Sequence, residues 1–239
     1  MNPTLAIDTA TDRVGVALGG PDGVVAEFSL QQGRRHAEVL APAIESVMRL
    51  AGIGLDQIQQ VAVDIGPGLF TGLRVGVATA KALASALNLP VVACTSLDIL
   101  AHPHRGLDGP VASVVDARRG EVFWAMYLPT VDGDAMVQTI DATVCDPAVL
   151  TAALQRITAG SVITESGDRI SVVGDGARRY ADQLEAVPGV RILGPEHDHP
   201  SASALIAVAA SRPALAADKV TPYYLRGPDV RIGWTRRDG

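Results

Sequence analysis

The sequence predicts an α/β fold built as two related halves, each a mixed β-sheet flanked by helices. Three observations carry this. Residues 4–95 read β-β-β-α-β-α-β from their hydrophobic periodicity. A stretch rich in breakers, His102-Pro103-His104-Arg105-Gly106 through Gly109-Pro110, then interrupts the chain, and strand and helix patterns restart behind it. Finally, Ile7-Asp8-Thr9-Ala10-Thr11-Asp12-Arg13-Val14 can be laid on Val115-Asp116-Ala117-Arg118-Arg119-Gly120-Glu121-Val122. In both, a buried strand ends in Asp, turns tightly and enters a second strand, an internal echo expected of duplicated halves. The expected units are residues 1–105 and 106–239, with the helix at Ser201 to Ser211 packing back on the first.

The elements follow in order. Thr4 to Thr9, Val14 to Leu18 and Val24 to Leu30 alternate as strands, and Gly19-Gly20-Pro21-Asp22-Gly23 supplies the turn between the last two. From His36 to Ala51 the period changes. Leu40, Ile44, Val47 and Ala51 share one face while Glu38, Glu45 and Arg49 lie elsewhere, which makes an amphipathic helix. Val61 to Ile65 is a buried strand, Gly66 to Gly72 a glycine loop, Leu73 to Leu87 a second helix and Leu89 to Thr95 another strand. In the second half, strands are expected at Val111 to Val115, Val122 to Tyr127, Ala135 to Ile140 and Ser171 to Val173. Helices are expected at Pro147 to Arg156, Ala177 to Glu185 and Ser201 to Ser211, and Thr221 to Gly239 is irregular.

Composition narrows the function. With 239 residues, 48% of them apolar and 19% charged, the chain can bury a large core without disulfides or metal. Its net charge of −6 argues against gripping nucleic acid alone, because phosphate neutralisation needs a basic surface. The two cysteines, Cys94 and Cys145, stand in no ligand spacing, as in a reduced cytoplasmic protein. No secretory signal is expected from the opening MNPTLAIDTATDR. The longest uncharged run, Ala82 to Leu97, is broken by Asn88 and Pro90, so no membrane span is expected.

The strongest local signal is Asp64-Ile65-Gly66-Pro67-Gly68-Leu69-Phe70-Thr71-Gly72-Leu73-Arg74-Val75-Gly76. A strand, glycine loop and helix in that order aim free N–H groups and a positive helix end at one spot. It is not a P-loop, since Leu73 stands where lysine is required, and its glycine spacing is too long for the dinucleotide fingerprint. The residues permit either an anion site or a tight turn capped by Thr71. The helix after it is apolar almost all round, through Val75, Val77, Ala78, Ala80, Ala82, Leu83, Ala84, Ala86 and Leu87. That pattern suits a helix sandwiched in a core or one that meets another subunit. The hairpins ending in Asp8 and Asp116 resemble the phosphate clamp of actin-like and sugar-kinase ATPases, a likeness that implies Asp8 holding Mg²⁺ through water. Arg118 and Arg119 obstruct the second hairpin, which leaves Asp116 a structural role as its alternative. No nucleophile–base set can be assembled. His102, His104, His197 and His199 sit beside prolines in loops, and His36 opens a helix after Gly33-Arg34-Arg35. Lys219, Arg226, Arg231, Arg236 and Arg237 make the tail basic against Asp229 and Asp238.

The glycine motif closely resembles the signature of the TsaB (YeaZ) family, accessory subunits of the bacterial machinery that makes threonylcarbamoyladenosine in tRNA. Ile7-Asp8-Thr9, Arg35-His36-Ala37-Glu38, Asp116 to Val122, Val173-Gly174-Asp175-Gly176-Ala177 and Pro222-Tyr223-Tyr224-Leu225-Arg226 extend the resemblance along the chain. Leu69 departs from it, since many members have Ser there. The resemblance implies two actin-like (ASKHA, ribonuclease H-like) domains. It also implies a non-catalytic role, supporting a TsaD-type catalytic subunit together with a TsaE-type ATPase in threonylcarbamoyl transfer to the adenosine next to the anticodon. Contact with tRNA is then indirect, and the chain pairs with itself when alone. The partner surface implied comprises His36, Leu40, Ile44, Arg74, Val75, Ala78, Ala82 and Ala86. Nucleotide contacts would involve Asp8, Thr9, Gly66, Gly68, Thr71 and Gly72, with no resident cofactor and ATP or ADP with Mg at the partner interface.

The catalytic paralogue TsaD holds a metal through two histidines four residues apart. The equivalent positions here are Ser96 and Leu100, and an aliphatic side chain cannot ligate, so no metal site is expected. The competing hypothesis is a stand-alone actin-like ATPase or transferase, supported by the Asp8 hairpin and the glycine loop.

Overall fold

The computed structural model describes residues 3–31, 35–160 and 169–226. Its first sheet holds β1 (Thr4–Asp8), β2 (Arg13–Gly20), β3 (Gly23–Gln31), β4 (Gln60–Asp64) and β5 (Val91–Cys94), in the order β3-β2-β1-β4-β5. The second holds β6 (Val111–Arg118), β7 (Glu121–Pro129), β8 (Met136–Cys145), β9 (Ile170–Val173) and β10 (Val190–Ile192), in the order β10-β9-β6-β7-β8. In each, the first three strands form an antiparallel meander, the fourth pairs with the opening strand in parallel, and the fifth pairs with the fourth in parallel. The sheets are thus two copies of one topology, the actin-like arrangement. Val190–Ile192 is a strand that the sequence pattern did not disclose.

Helices fill the crossovers. α1 (His36–Ala51) ends where Gly52 takes a left-handed φ of 67°, and Ile53 N–H reaches back to Met48 O. That is the glycine-terminated cap expected at such an end. α2 (Phe70–Leu87) closes on Asn88, also left-handed at φ 53°. It starts three residues before the apolar pattern does, because the Leu73 N–H already bonds to Leu69 O at 3.0 Å. α3 (Ser96–Ala101), unforeseen in the sequence, is capped by Thr95, whose hydroxyl accepts from Asp98 N–H. α4 (Pro147–Gly160) precedes β9. The single helix expected over 177–185 is two, α5 (Asp175–Arg179) and α6 (Ala181–Leu184), separated at Tyr180 by a φ of −113°. α7 (Ala202–Ala209) is capped by the Ser201 hydroxyl.

Strand alternation decides which helix each sheet face receives. Leu5 and Ile7 of β1 face α1 and α2, joining Leu40, Val47, Val77 and Ala80 in one core. Ala6, Ala17 and Ala62 point the other way, and their small size lets α7 approach with Leu205 fully buried. On the second sheet, Val114, Trp124 and Met126 meet Leu150 and Leu154 of α4. Its opposite face meets Leu97, Leu100 and Ala101 of α3. The two helices have changed places: α3 follows the first sheet but packs on the second, and α7 does the reverse. The exchange ties the halves together. Burying a Leu such as Leu205 or Leu97 contributes about 1.5–3 kcal/mol each. Among the described residues, no helix is long and apolar enough to cross a membrane.

Candidate functional site

The site is built at the C-terminal ends of β1 and β4, where the first hairpin meets the glycine loop. Parallel pairing sets Ile7 beside Val63, so Asp8 and Asp64 end adjacent strands side by side, both fully buried. Asp8 Oδ1 accepts the Ala10 N–H at 3.0 Å, turning the hairpin. Asp64 Oδ1 accepts the Gly66 N–H and the Ser96 hydroxyl, each at 2.7 Å. Neither Oδ2 has a hydrogen-bond partner among the described residues. Burial holds both above the usual carboxylate range, and the Asp8 charge pushes Asp64 further up.

The glycines face the hairpin's own backbone. A Cβ on Gly68 would lie 2.1 Å from Ala10 O, one on Gly72 2.1 Å from Thr9 O, and one on Gly76 2.3 Å from Thr9 Oγ1. The Leu69 N–H donates to Ala10 O at 2.7 Å, and the Thr9 hydroxyl donates to Gly72 O at 2.7 Å. His36 Nε2 lies 2.7 Å from Thr11 O, fixing the hairpin from the α1 side. Of the residues proposed for nucleotide, Asp8, Thr9, Gly66 and Gly72 are buried in this lock, Gly68 is half-buried there, and Thr71 is exposed on the first turn of α2. These contacts lock the hairpin to the glycine loop, and Gly68 also lines a cavity beside it.

The second hairpin is closed by charge. Asp116 Oδ2 meets Arg118 at 3.0 Å and Arg179 at 3.2 Å, and its Oδ1 accepts the Arg118 N–H. Arg118 and Arg119 adopt left-handed φ of 61° and 59°. Asp175, held above the usual range by burial, accepts the Asp116 N–H. Between the glycine loop and the second hairpin, a cavity of about 370 Å³ is lined by Gly68, Phe70, Arg118, Phe123, Tyr223 and Tyr224 among others. The histidine pairs stay apart from it. His104 and His197 meet edge to face at 4.6 Å, and His199 contacts Gln31 and Asp12. Among the described residues, no three metal-ligating side chains cluster.

The helix pair presents the other feature. Of the α1 residues expected at a partner surface, His36 is buried against the first hairpin and Leu40 in the first core, while Ile44, also largely buried, lines the groove between α1 and α2. They are the apolar stripe that the sheet claims, so the outer face of α1 is left to Ala37, Ala41, Glu45 and Arg49. On α2, Arg74, Ala78, Ala82 and Ala86 are exposed and Val75 is half-buried. Gly33 and Arg34, and the tail residues Arg231, Arg236 and Arg237, lie outside the described residues. Asp64 was missed as a site residue, although its place at the end of the strand before the glycine loop is the signal that marks it.

The transferase family model described as TsaD, tRNA N6-adenosine threonylcarbamoyltransferase, matches residues 22–187. The tRNA threonylcarbamoyladenosine biosynthesis protein TsaB of Escherichia coli is 30% identical over 241 residues, covering 98% of each chain. The chain belongs to the TsaB family. The TsaB protein of Bacillus subtilis is 28% identical over 232 residues, 96% of each chain. YeaZ from Pseudomonas aeruginosa superposes with a TM-score of 0.77 at 28% identity, covering 94% of this chain and 100% of that one. In this TsaB-family fold, Ser96 and Leu100 have structural partners: Ser96 anchors Asp64, and Leu100 is buried against the second sheet.

Proposed function

We propose that this chain is a non-catalytic subunit in the formation of tRNA threonylcarbamoyladenosine, acting in the cytoplasm by docking a TsaD-type transferase. One observation carries the reading: the outer face of α2 is a ridge of Ala78, Ala82 and Ala86 beside an apolar groove against α1. That groove, about 470 Å³, is lined by Ala41, Met48, Ile53, Leu55, Thr79 and Leu83. Side chains this small let a partner helix approach to roughly 8 Å between axes, at the close end of helix packing. A helix from the partner would complete a bundle with α1 and α2, and a second copy would use the same face when the partner is absent. The names of the full-length relatives support the pathway, and the transferase family match supports a partner sharing this architecture. A TsaE-type ATPase joins through the complex, and tRNA is reached through the transferase. Residues 1–105, with α7 returning to them, form the docking unit, and residues from 106 onward form the second unit.

The lock at the glycine loop supports a scaffold rather than a stand-alone ATPase, since the Thr9 hydroxyl and the Ala10 carbonyl are already taken by Gly72 and Leu69. The test is reconstitution. Purified chain with ATP and Mg²⁺ should turn over no nucleotide, yet adding it to the transferase and ATPase should raise tRNA modification from background. Ala82→Glu should remove that stimulation, because burying an unpaired charge in an interface costs about 3–5 kcal/mol. Robust ATP turnover by the chain alone, or full stimulation by a folded Ala82→Glu protein, would overturn the reading.

A further inference from the structure

Arg74 stands on the same outer stripe as Ala78 and Ala82, one and two turns before them, and its guanidinium is held in place from within the chain. It lies 3.8 Å from the centroid of the Phe70 ring. Its Nε donates to the Tyr224 hydroxyl at 3.3 Å, and the Tyr224 ring leans on Phe70 with centroids 5.3 Å apart. Tyr224 is itself tethered on both sides. The Tyr223 N–H donates to Ile65 O at 2.7 Å, and Arg226 pairs with Glu121 of the second hairpin at 2.8 Å. The strap at 222–226 thus crosses from the end of β4 to the second half and sets Arg74 on the way.

What sets Arg74 apart is the missing anion. Its neighbours around the cleft are paired, Arg118 and Arg179 on Asp116 and Arg226 on Glu121. Arg74 is exposed and meets no carboxylate among the described residues. Stacking and one Nε bond fix the guanidinium plane but leave its two Nη groups as a fork, the geometry that grips a carboxylate with two hydrogen bonds. Holding an arginine in one rotamer before contact removes ordering cost from binding. Arginine is among the side chains enriched at binding hot spots.

We propose that Arg74 is the anchor of the docking face for an acidic side chain of the partner, pre-set by the C-terminal strap. This rests on the proposed docking role of α2 and specifies its chemistry. The partner presents a helix whose small or apolar side meets Ala78 and Ala82, with a carboxylate one turn away to meet the fork. Glu121 and Arg226 lie across the cleft from this contact but hold its geometry through Tyr224.

The test is calorimetric titration of the full chain with the TsaD-type transferase at several salt concentrations, each variant first checked by circular dichroism. Arg74→Ala should weaken binding by about 10- to 100-fold, the range of a central arginine, and flatten its salt dependence. Arg74→Glu should weaken it further than Arg74→Ala, and Arg74→Lys should recover little, because a point charge lacks the fork. Tyr224→Phe, keeping the ring and losing the hydroxyl, and the remote Glu121→Gln should each weaken binding a few-fold. Ala82→Glu separates the two claims. If it abolishes binding while Arg74→Ala and Arg74→Glu stay within twofold of the parent, the face stands and the anchor is refuted. If Ala82→Glu binds as the parent does, the α2 face is refuted as the docking site, and the anchor with it.

Discussion

Gly72→Ala tests what the glycine motif is for. Gly72 sits in the first turn of α2, where alanine is the better helix former by about 1 kcal/mol, so on propensity alone the substitution stabilises. The structure predicts the opposite sign. A Cβ there lies 2.1 Å from Thr9 O and 3.3 Å from His36 Nε2. A backbone oxygen cannot swing aside, so the hairpin tip must retreat by about 1 Å to restore ordinary contact, a shift that tight cores resist. Retreat stretches the Thr9–Gly72, Leu69–Ala10 and His36–Thr11 bonds, each 2.7 Å now. Buried bonds of this kind contribute about 0.5–1.5 kcal/mol each. Together with overpacking, and after the propensity gain, a net loss of about 2–4 kcal/mol is expected. Urea unfolding with linear extrapolation measures it. Gly106→Ala, where an added Cβ meets nothing within 4 Å, is the control and should stay within about 0.5 kcal/mol. Gly72→Ala protein as stable as the parent, or more so, would refute the packing account and return the glycines to a ligand.

Other consequences follow from the titrating groups and the second hairpin. Because burial raises the Asp8–Asp64 pair, the folded chain holds a proton that the unfolded chain releases near 3.8, so this contribution is present below that pH and lost as pH rises. Asp64→Asn, which can donate to Asp8 while still accepting from Gly66 and Ser96, should flatten the loss in thermal melts across pH 4–8. His104 behaves in the opposite sense. Burial and His197 depress it from 6.5 to about 4, so its contribution is lost as pH falls through that window. His104→Phe should reduce the acid destabilisation in the same melts. Asp116→Ala leaves Arg118 and Arg179 facing each other without their shared anion, and faster amide exchange in the β6–β7 turn should report it.

Much of the architecture was legible because the period of apolar residues switches cleanly between strands and helices. α1 runs from His36 to Ala51 as its stripe required, and the two Asp-tipped hairpins announced the duplicated sheets. α3 was not legible: all six of its residues are buried, so Ser96 to Ala101 shows no polar face to set a helical period. The exchange of α3 and α7 between sheets depends on which face each small-residue patch leaves open, and no local pattern carries that. His36 and Leu40, which the family resemblance assigned to a partner surface, are buried within the chain, because an amphipathic stripe does not say whether the sheet or a partner claims it. The glycine loop was ambiguous for a related reason. A phosphate and a backbone carbonyl both exclude a Cβ, and only the position of Thr9 and Ala10 tells them apart.

The central claim is that a partner docks on the outer faces of α1 and α2 while the hairpin lock stays closed. Hydrogen exchange of the full chain, alone and saturated with the TsaD-type transferase, tests it most directly. New protection is expected across residues 37–55 and 70–86, with little change at 8–12 and 116–121. Protection confined to the two hairpins and the cleft between them, with α1 and α2 exchanging as in the free chain, would contradict it.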